Sequence, residues 1–104
     1  MNDVTFESTK LTDASFRFAV LKDVIFKDCE LVACDFSGAT FERVSFENCN
    51  LTKASFIKSK LKDVNISTST IEDIAIDKDS ILKVVISTAQ ALYLVSVFGL
   101  VIQD

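Results

Sequence analysis

The chain has 104 residues, 49% of them hydrophobic and 25% charged, with nine Phe, two Gly and no Pro, a composition that fits one domain and excludes a disordered, collagen-like or linker-rich chain. Its formal net charge of −4 argues against a phosphate-binding surface, because nucleic-acid affinity draws on clustered Lys and Arg, so no direct nucleic-acid binding is expected. Three Cys without paired motif spacing and the absence of His argue against a disulfide framework and against metal or acid–base chemistry; free thiols, no metal and no cofactor are expected.

At the N-terminus no basic segment precedes an apolar one, so Met1 to Leu11 does not read as a secretory signal, and a cytoplasmic location is the expectation. From Val4 onward a large apolar residue recurs at every fifth position. The series runs Phe6, Leu11, Phe16, Leu21, Phe26, Leu31, Phe36, Phe41, Phe46, Leu51, Phe56, Leu61 and continues as Ile66, Ile71, Ile76, Ile81 and Ile86. Two residues before each lies a second series, mostly small or apolar, including Val4, Ala14, Ala19, Val24, Cys29, Cys34, Ala39, Val44, Cys49 and Ala54. The remaining positions are mostly polar.

A period of five matches neither the 3.6 of a helix nor the 2 of a strand. It suits a coil in which each five-residue unit forms one short wall, with the two apolar positions pointing inward. The arrangement, in essence A-x-[LF]-x-x from Val4 to Ile86, resembles the pentapeptide-repeat family. That resemblance implies an all-β solenoid, a right-handed quadrilateral β-helix of about four coils. The alternation of Phe and Leu agrees: four units per coil stack Phe6 with Phe26 and Phe46, Phe16 with Phe36 and Phe56, and Leu11 with Leu31 and Leu51, with Phe41 the one departure. Opposite charges also recur one coil apart, as in Glu7/Lys27/Glu47, Lys10/Glu30, Lys22/Glu42/Lys62 and Asp23/Arg43/Asp63.

The repeat weakens after Ile66, where the aromatic series stops. An inward carboxylate, Asp79, is costly in an apolar column, so distortion is expected there, with Asp79 capping a turn. The three Cys occupy inward small positions and read as compact hydrophobes. Among outward positions Phe18, Val20, Ile25, Val32 and Ile57 are conspicuous, and Phe18, Val20 and Ile25 form a candidate partner patch.

Stacked repeats need terminal caps. Ser87 with Gln90 three residues on fits a capping box, and Gly99 fits a helix end, so a helix near Thr88 to Phe98 is expected, with Ala91, Val95 and Phe98 as its stripe. The chain thus divides into repeats over 1–87 and a helix with a short strand over 88–104. Leu92, Leu94 and Val97 leave more apolar surface than one core contact hides. The segment AQALYLVSVFGLVIQD resembles the C-terminal helix and strand through which quinolone-resistance pentapeptide-repeat proteins dimerise. The resemblance implies a homodimer joined through Leu92, Val95, Phe98, Leu100 and Ile102. The apolar run Ala91–Ile102 is too short to span a bilayer. At the other end, the first coil is expected to be exposed, to meet another chain, or to continue a longer repeat protein.

No nucleophile, His or phosphate-binding loop accompanies the carboxylates, so no catalytic residue is assigned. The leading reading is a non-enzymatic, rigid protein-interaction or assembly module. The family resemblance implies an alternative: a DNA-mimicking binder of DNA gyrase, a type II topoisomerase, that protects it from quinolones. The acidic balance favours that alternative. The alternating charge columns and the unbroken register, which leaves no projecting loop, oppose it.

Overall fold

Turning a chain through a corner every five residues requires a backbone kink at a fixed place in each unit. In a computed structural model, which describes residues 1–77 and 84–98, that kink is a left-handed residue two positions after each central one. Asp13, Phe18, Asp28, Gly38, Asn48, Lys58 and their equivalents have φ between 51° and 69°. Asp, Asn, Ser and Gly dominate the series because short polar side chains and Gly tolerate this region best. Thr68, β-branched, stands outside it.

At half of the corners the kink closes a hydrogen-bonded turn. The amide of Ala14 donates to Leu11 O at 3.0 Å, Ala39 to Phe36 O at 3.1 Å and Ala54 to Leu51 O at 3.0 Å, which with positive φ at the third residue is the type II arrangement.

The walls centred on Leu21 and Phe6 stack as one parallel sheet. Strands β1 (Asn2–Glu7), β2 (Val20–Lys27), β3 (Thr40–Glu47), β4 (Lys60–Asn65) and β5 (Val84–Val85) lie in sequence order. Register is constant at twenty residues: Phe6 pairs with Phe26, Phe26 with Phe46, Leu21 with Phe41, and Phe41 with Leu61. Bridges Lys10–Glu30, Ser15–Asp35 and Ser55–Ala75 hold the same offset on other walls. The chain is therefore a β-solenoid of about four turns with four repeats in each, and among the described residues one helix, α1 (Thr88–Val97), follows it. The walls are numbered here by their central residues in the first coil, Phe6, Leu11, Phe16 and Leu21.

The interior is built from columns. Phe6, Phe26 and Phe46 stack with ring centroids 5.0 Å apart and planes within 7°. Phe16, Phe36 and Phe56 do the same at 5.0 Å, within 11°. Near-parallel rings are set by the coil spacing of about 4.8 Å. Across the bore the two columns meet edge to face, as Phe26 meets Phe36 at 6.2 Å and 80°, the arrangement ring quadrupoles favour. Phe26, Phe36, Phe46, Phe56, Leu31 and Leu51 are buried, whereas Phe6, Leu11 and Phe16 of the first coil are half-buried. Phe41 fits because its column holds Leu21 before it and Leu61 after it, and its ring tilts at 55° to Phe36.

Of the expected inward stripe Phe98 packs on the core, but the buried positions of the helix are others. Gln90 and Leu94 are its buried residues, with Tyr93 and Phe98 packed on the core, while Ala91 and Val95 are only half-buried. Leu94 thus joins the core. The rotation follows from Gln90, a polar residue that finds hydrogen-bond partners inside. Asp79 and the distortion expected around it, and Leu100 and Ile102 of the expected dimer contact, lie outside the described residues.

Candidate interaction surfaces

Neighbouring coils exchange hydrogen bonds in both directions, as Leu31 N donates to Asn50 O of the next coil and Glu30 N to Thr9 O of the preceding one, both at 2.9 Å. The last coil needs substitutes, and α1 supplies them. Ser87 accepts from Gln90 N at 3.1 Å, and Gln90 Oε1 accepts from Ser87 N at 2.9 Å, forming the expected capping box. The same Gln90 then donates from Nε2 to Ile66 O at 2.7 Å and Ser69 O at 2.8 Å. Tyr93 Oη accepts from Asp73 N at 2.8 Å, and Asp77 Oδ2 accepts from Lys58 N at 2.7 Å. Local spacing could reveal the capping box, but nothing in the sequence announces that Gln90 and Tyr93 close the solenoid.

With Gln90, Tyr93, Leu94 and Phe98 turned toward the coil, other apolar side chains of α1 remain outside. Leu92 is 58% exposed and Val97 50%. An open groove of about 350 Å³ runs between the helix and the last coil, lined by Ser69, Ile71, Glu72, Ala89, Gln90 and Tyr93. Of the candidate dimer contacts, Leu92 is exposed, Val95 half-buried and Phe98 half-buried against the core.

The candidate patch of Phe18, Val20 and Ile25 is divided by a corner. Phe18 sits at the corner before the fourth wall and Val20 on that wall, whereas Ile25 stands on the first wall, beyond the corner at Lys22–Asp23. Phe18 is 72% exposed and Val20 59%. Among the described residues Phe18 is the only aromatic with positive φ, at 58°, a conformation that costs a bulky residue on the order of 1 kcal/mol. Its ring is nevertheless held. The Arg17 guanidinium lies 5.4 Å from the ring centroid, and the ring rests on Gly38, where a Cβ would come within 2.5 Å of Cε1.

Charge is distributed unevenly around the tube. Corner positions of the second wall carry Glu7, Asp13, Asp28, Glu47, Glu72 and Asp73 against Lys27 and Lys53, and its outward column pairs Lys10 with Glu30. Between the fourth and first walls Arg43 bridges Asp23 through Nε at 2.5 Å and Nη2 at 3.0 Å, and Glu42 through Nη1 at 2.8 Å; Lys62 reaches Glu42 at 3.9 Å. The hydrogen-bonded guanidinium holds the Asp23 carboxyl below its usual range. Asp35 is lowered too, chiefly by hydrogen bonds from Ser37 and less by Arg17 at 3.7 Å.

The thiols are buried rivets. Cys29 Sγ donates to Phe6 O at 3.3 Å, Cys34 to Leu11 O at 2.8 Å and Cys49 to Phe26 O at 3.2 Å, each twenty-three residues back. Ser59 and Ser69 donate equivalently to Phe36 O and Phe46 O, both at 2.7 Å. Burial pushes the Cys34 and Cys49 thiols up to about 11. Among the described residues no group of His, Cys, Asp and Glu is placed to hold a metal ion, and no helix is long and apolar enough to cross a membrane.

No curated protein matches the chain. Among solved structures it is similar to a trypsin-treated form of QnrB1, a plasmid-mediated fluoroquinolone resistance protein, with a TM-score of 0.52 and 16% identity over 96% of this chain and 80% of that one. A pentapeptide repeat protein from the thylakoid lumen of Arabidopsis thaliana matches with a TM-score of 0.41 and 20% identity over 92% of this chain and 74% of that one. The pentapeptide repeat protein Rfr23 from the cyanobacterium Cyanothece 51142 matches with a TM-score of 0.35 and 18% identity over 84% and 63% respectively. A family model described as the pentapeptide repeat region covers residues 1–76, and with the twenty-residue register and the stacked Phe columns this establishes that the chain belongs to the pentapeptide-repeat family.

Proposed function

We propose that the protein is a rigid, non-enzymatic interaction module that pairs with a second copy through α1 and presents its walls to a protein partner in the cytoplasm. The observation that carries this reading is the exposure of Leu92 and Val97 on a helix whose Gln90 and Leu94 are already buried in the last coil. A two-fold contact buries such residues against their own copies, and Val95, Phe98, Leu100 and Ile102 extend it. In this arrangement residues 1–87 are the rod, and 88–104 are its cap and joint.

Light scattering on the full chain at micromolar concentration tests the pairing. A dimer that Leu92→Glu converts to a folded monomer is expected; a wild-type monomer overturns it. A pull-down with the dimer tests the partner, and recovery of no protein above control beads removes the interaction module.

A second reading, binding to DNA gyrase in place of duplex DNA, is favoured by the carboxylate excess on the second wall. Supercoiling assayed with and without ciprofloxacin decides it: neither inhibition nor protection at micromolar dimer removes gyrase as the partner.

A further inference from the structure

The fourth wall carries the opposite chemistry to the second. Its outward column reads Val20, Thr40, Lys60, and the corner column beside it reads Phe18, Gly38, Lys58, linked by Phe18 N to Ser37 O and Gly38 N to Ile57 O, both at 3.0 Å. Two exposed apolar side chains therefore stand at one end of two adjoining columns and two exposed lysines at the other, two coils away. Among the described residues, no ion pair within 4 Å engages Lys58 or Lys60. Asp35 is engaged by Ser37 N and Arg17, Glu42 and Asp23 by Arg43, and Asp77 by the Lys58 amide, while Asp63, at the corner beyond Lys60, lines the first-wall side with Ile25 and Arg43.

We infer that the fourth wall docks an acidic protein segment bearing a large apolar side chain, an inference that rests on reading the chain as a protein-binding rod. The Phe18 ring is held before binding by Gly38 and Arg17, so little side-chain freedom is lost when it is covered. An aromatic residue flanked by Arg is the composition of binding hot spots. Lys58 and Lys60 lie two coils from Phe18 and from Val20, with Gly38 and Thr40 between them, about 10 Å at the coil spacing. An extended segment thus meets them with carboxylates about three residues from its apolar anchor. Elsewhere the net negative surface repels such a segment, which fixes where and how it lands. The same net charge disfavours duplex nucleic acid on this wall.

The test uses the full chain and a dye-labelled peptide of mixed Glu and Asp with one central Leu. Controls are the peptide with Leu→Ser, the peptide with Lys in place of its acids, and a duplex oligonucleotide. Anisotropy titrations and amide chemical-shift mapping are expected to show binding of the acidic Leu peptide alone, with shifts around Phe18–Val20, Gly38 and Lys58–Lys60. Phe18→Ser, and Lys58→Glu with Lys60→Glu, each weaken it by about tenfold or more, and added salt weakens it further. Absence of binding, shifts on another wall, full affinity in Phe18→Ser, or tighter binding of the duplex overturns the inference. A dimer or a protein recovered by pull-down that persists alongside such a result leaves the interaction-module reading standing, so the two failures are distinguishable.

Discussion

Gln90 Nε2 donates to the Ile66 carbonyl at 2.7 Å across a sequence separation of twenty-four residues. One amide thereby serves two structures, since its oxygen caps α1 through Ser87 N while its nitrogen closes the last coil. Gln90→Ala removes both roles. With two bonds to buried carbonyls at about 0.5–1.5 kcal/mol each and a capping interaction of about 1 kcal/mol, a loss of about 2–4 kcal/mol is expected in urea denaturation. Gln90→Glu is expected to be no better, because it places a carboxylate against two carbonyl oxygens. Wild-type stability in Gln90→Ala would show that the cap is dispensable.

The thiol hydrogen bonds give a test by substitution. Ser already occupies the equivalent inward position at Ser59 and Ser69 with the same bond geometry, so Cys34→Ser is expected to stay within about 1 kcal/mol of wild type. Cys34→Ala leaves Leu11 O without its side-chain donor and a small void, and is expected to cost about 1–3 kcal/mol. Denaturation midpoints of the two variants, measured together, check the order.

Titration of the same thiols sets a pH dependence. An acid whose folded pKa is raised holds its proton longer folded than unfolded, so its stability contribution is intact below the unfolded value and falls above it. With Cys34 and Cys49 pushed up to about 11 against an unfolded thiol near ~8.5, stability should decline from about pH 8.5 toward 11. Replacing both by Ser should flatten that decline. Alkylation of the native chain at pH 8 should be far slower than that of the urea-unfolded chain.

Gly38 combines φ of 69° with the Phe18 ring on its surface. Gly38→Ala forces an L-residue into the left-handed region and pushes the ring aside, with an expected cost of about 1 kcal/mol from the backbone and a large change in the Phe18 ring resonances. In a Phe18→Ser background only the backbone cost should remain, so the double-mutant cycle isolates the ring contact.

The columns predict a gradient along the tube. Phe36 is buried between Phe16 and Phe56, whereas Phe16 is half-buried with one stacking partner. Phe36→Ala should cost about 3–5 kcal/mol and Phe16→Ala clearly less, read from denaturant unfolding. Equal losses would mean that the first coil is covered in solution.

Much of the tube was legible in the sequence because the period of five is written in residue types that must face inward. The Phe and Leu alternation agreed with the four walls that the family resemblance implied, since a three-walled coil would mix the two types in one column. The surface was less legible. Phe18, Val20 and Ile25 are close in sequence, but the left-handed Asp23 turns the chain between Val20 and Ile25, so Ile25 faces another direction. The helix follows from its capping box and Phe98 packs on the core as its spacing suggests, but Leu94 is drawn in by the neighbouring coil and Gln90 is buried for its hydrogen bonds, which the apolar pattern does not show.

By itself, then, the sequence determined the coil, its period, its core and the existence of a terminal helix, all of which follow from local residue type repeated at fixed spacing. The tertiary structure decided what depends on meeting across distance: that Gln90 and Tyr93 supply the partners a further coil would have offered, that Phe18 lies over Gly38, and that charge separates between the second and fourth walls. A one-dimensional pattern can specify which side chains point inward, whereas the partners of outward groups are fixed only when successive coils are laid one upon another.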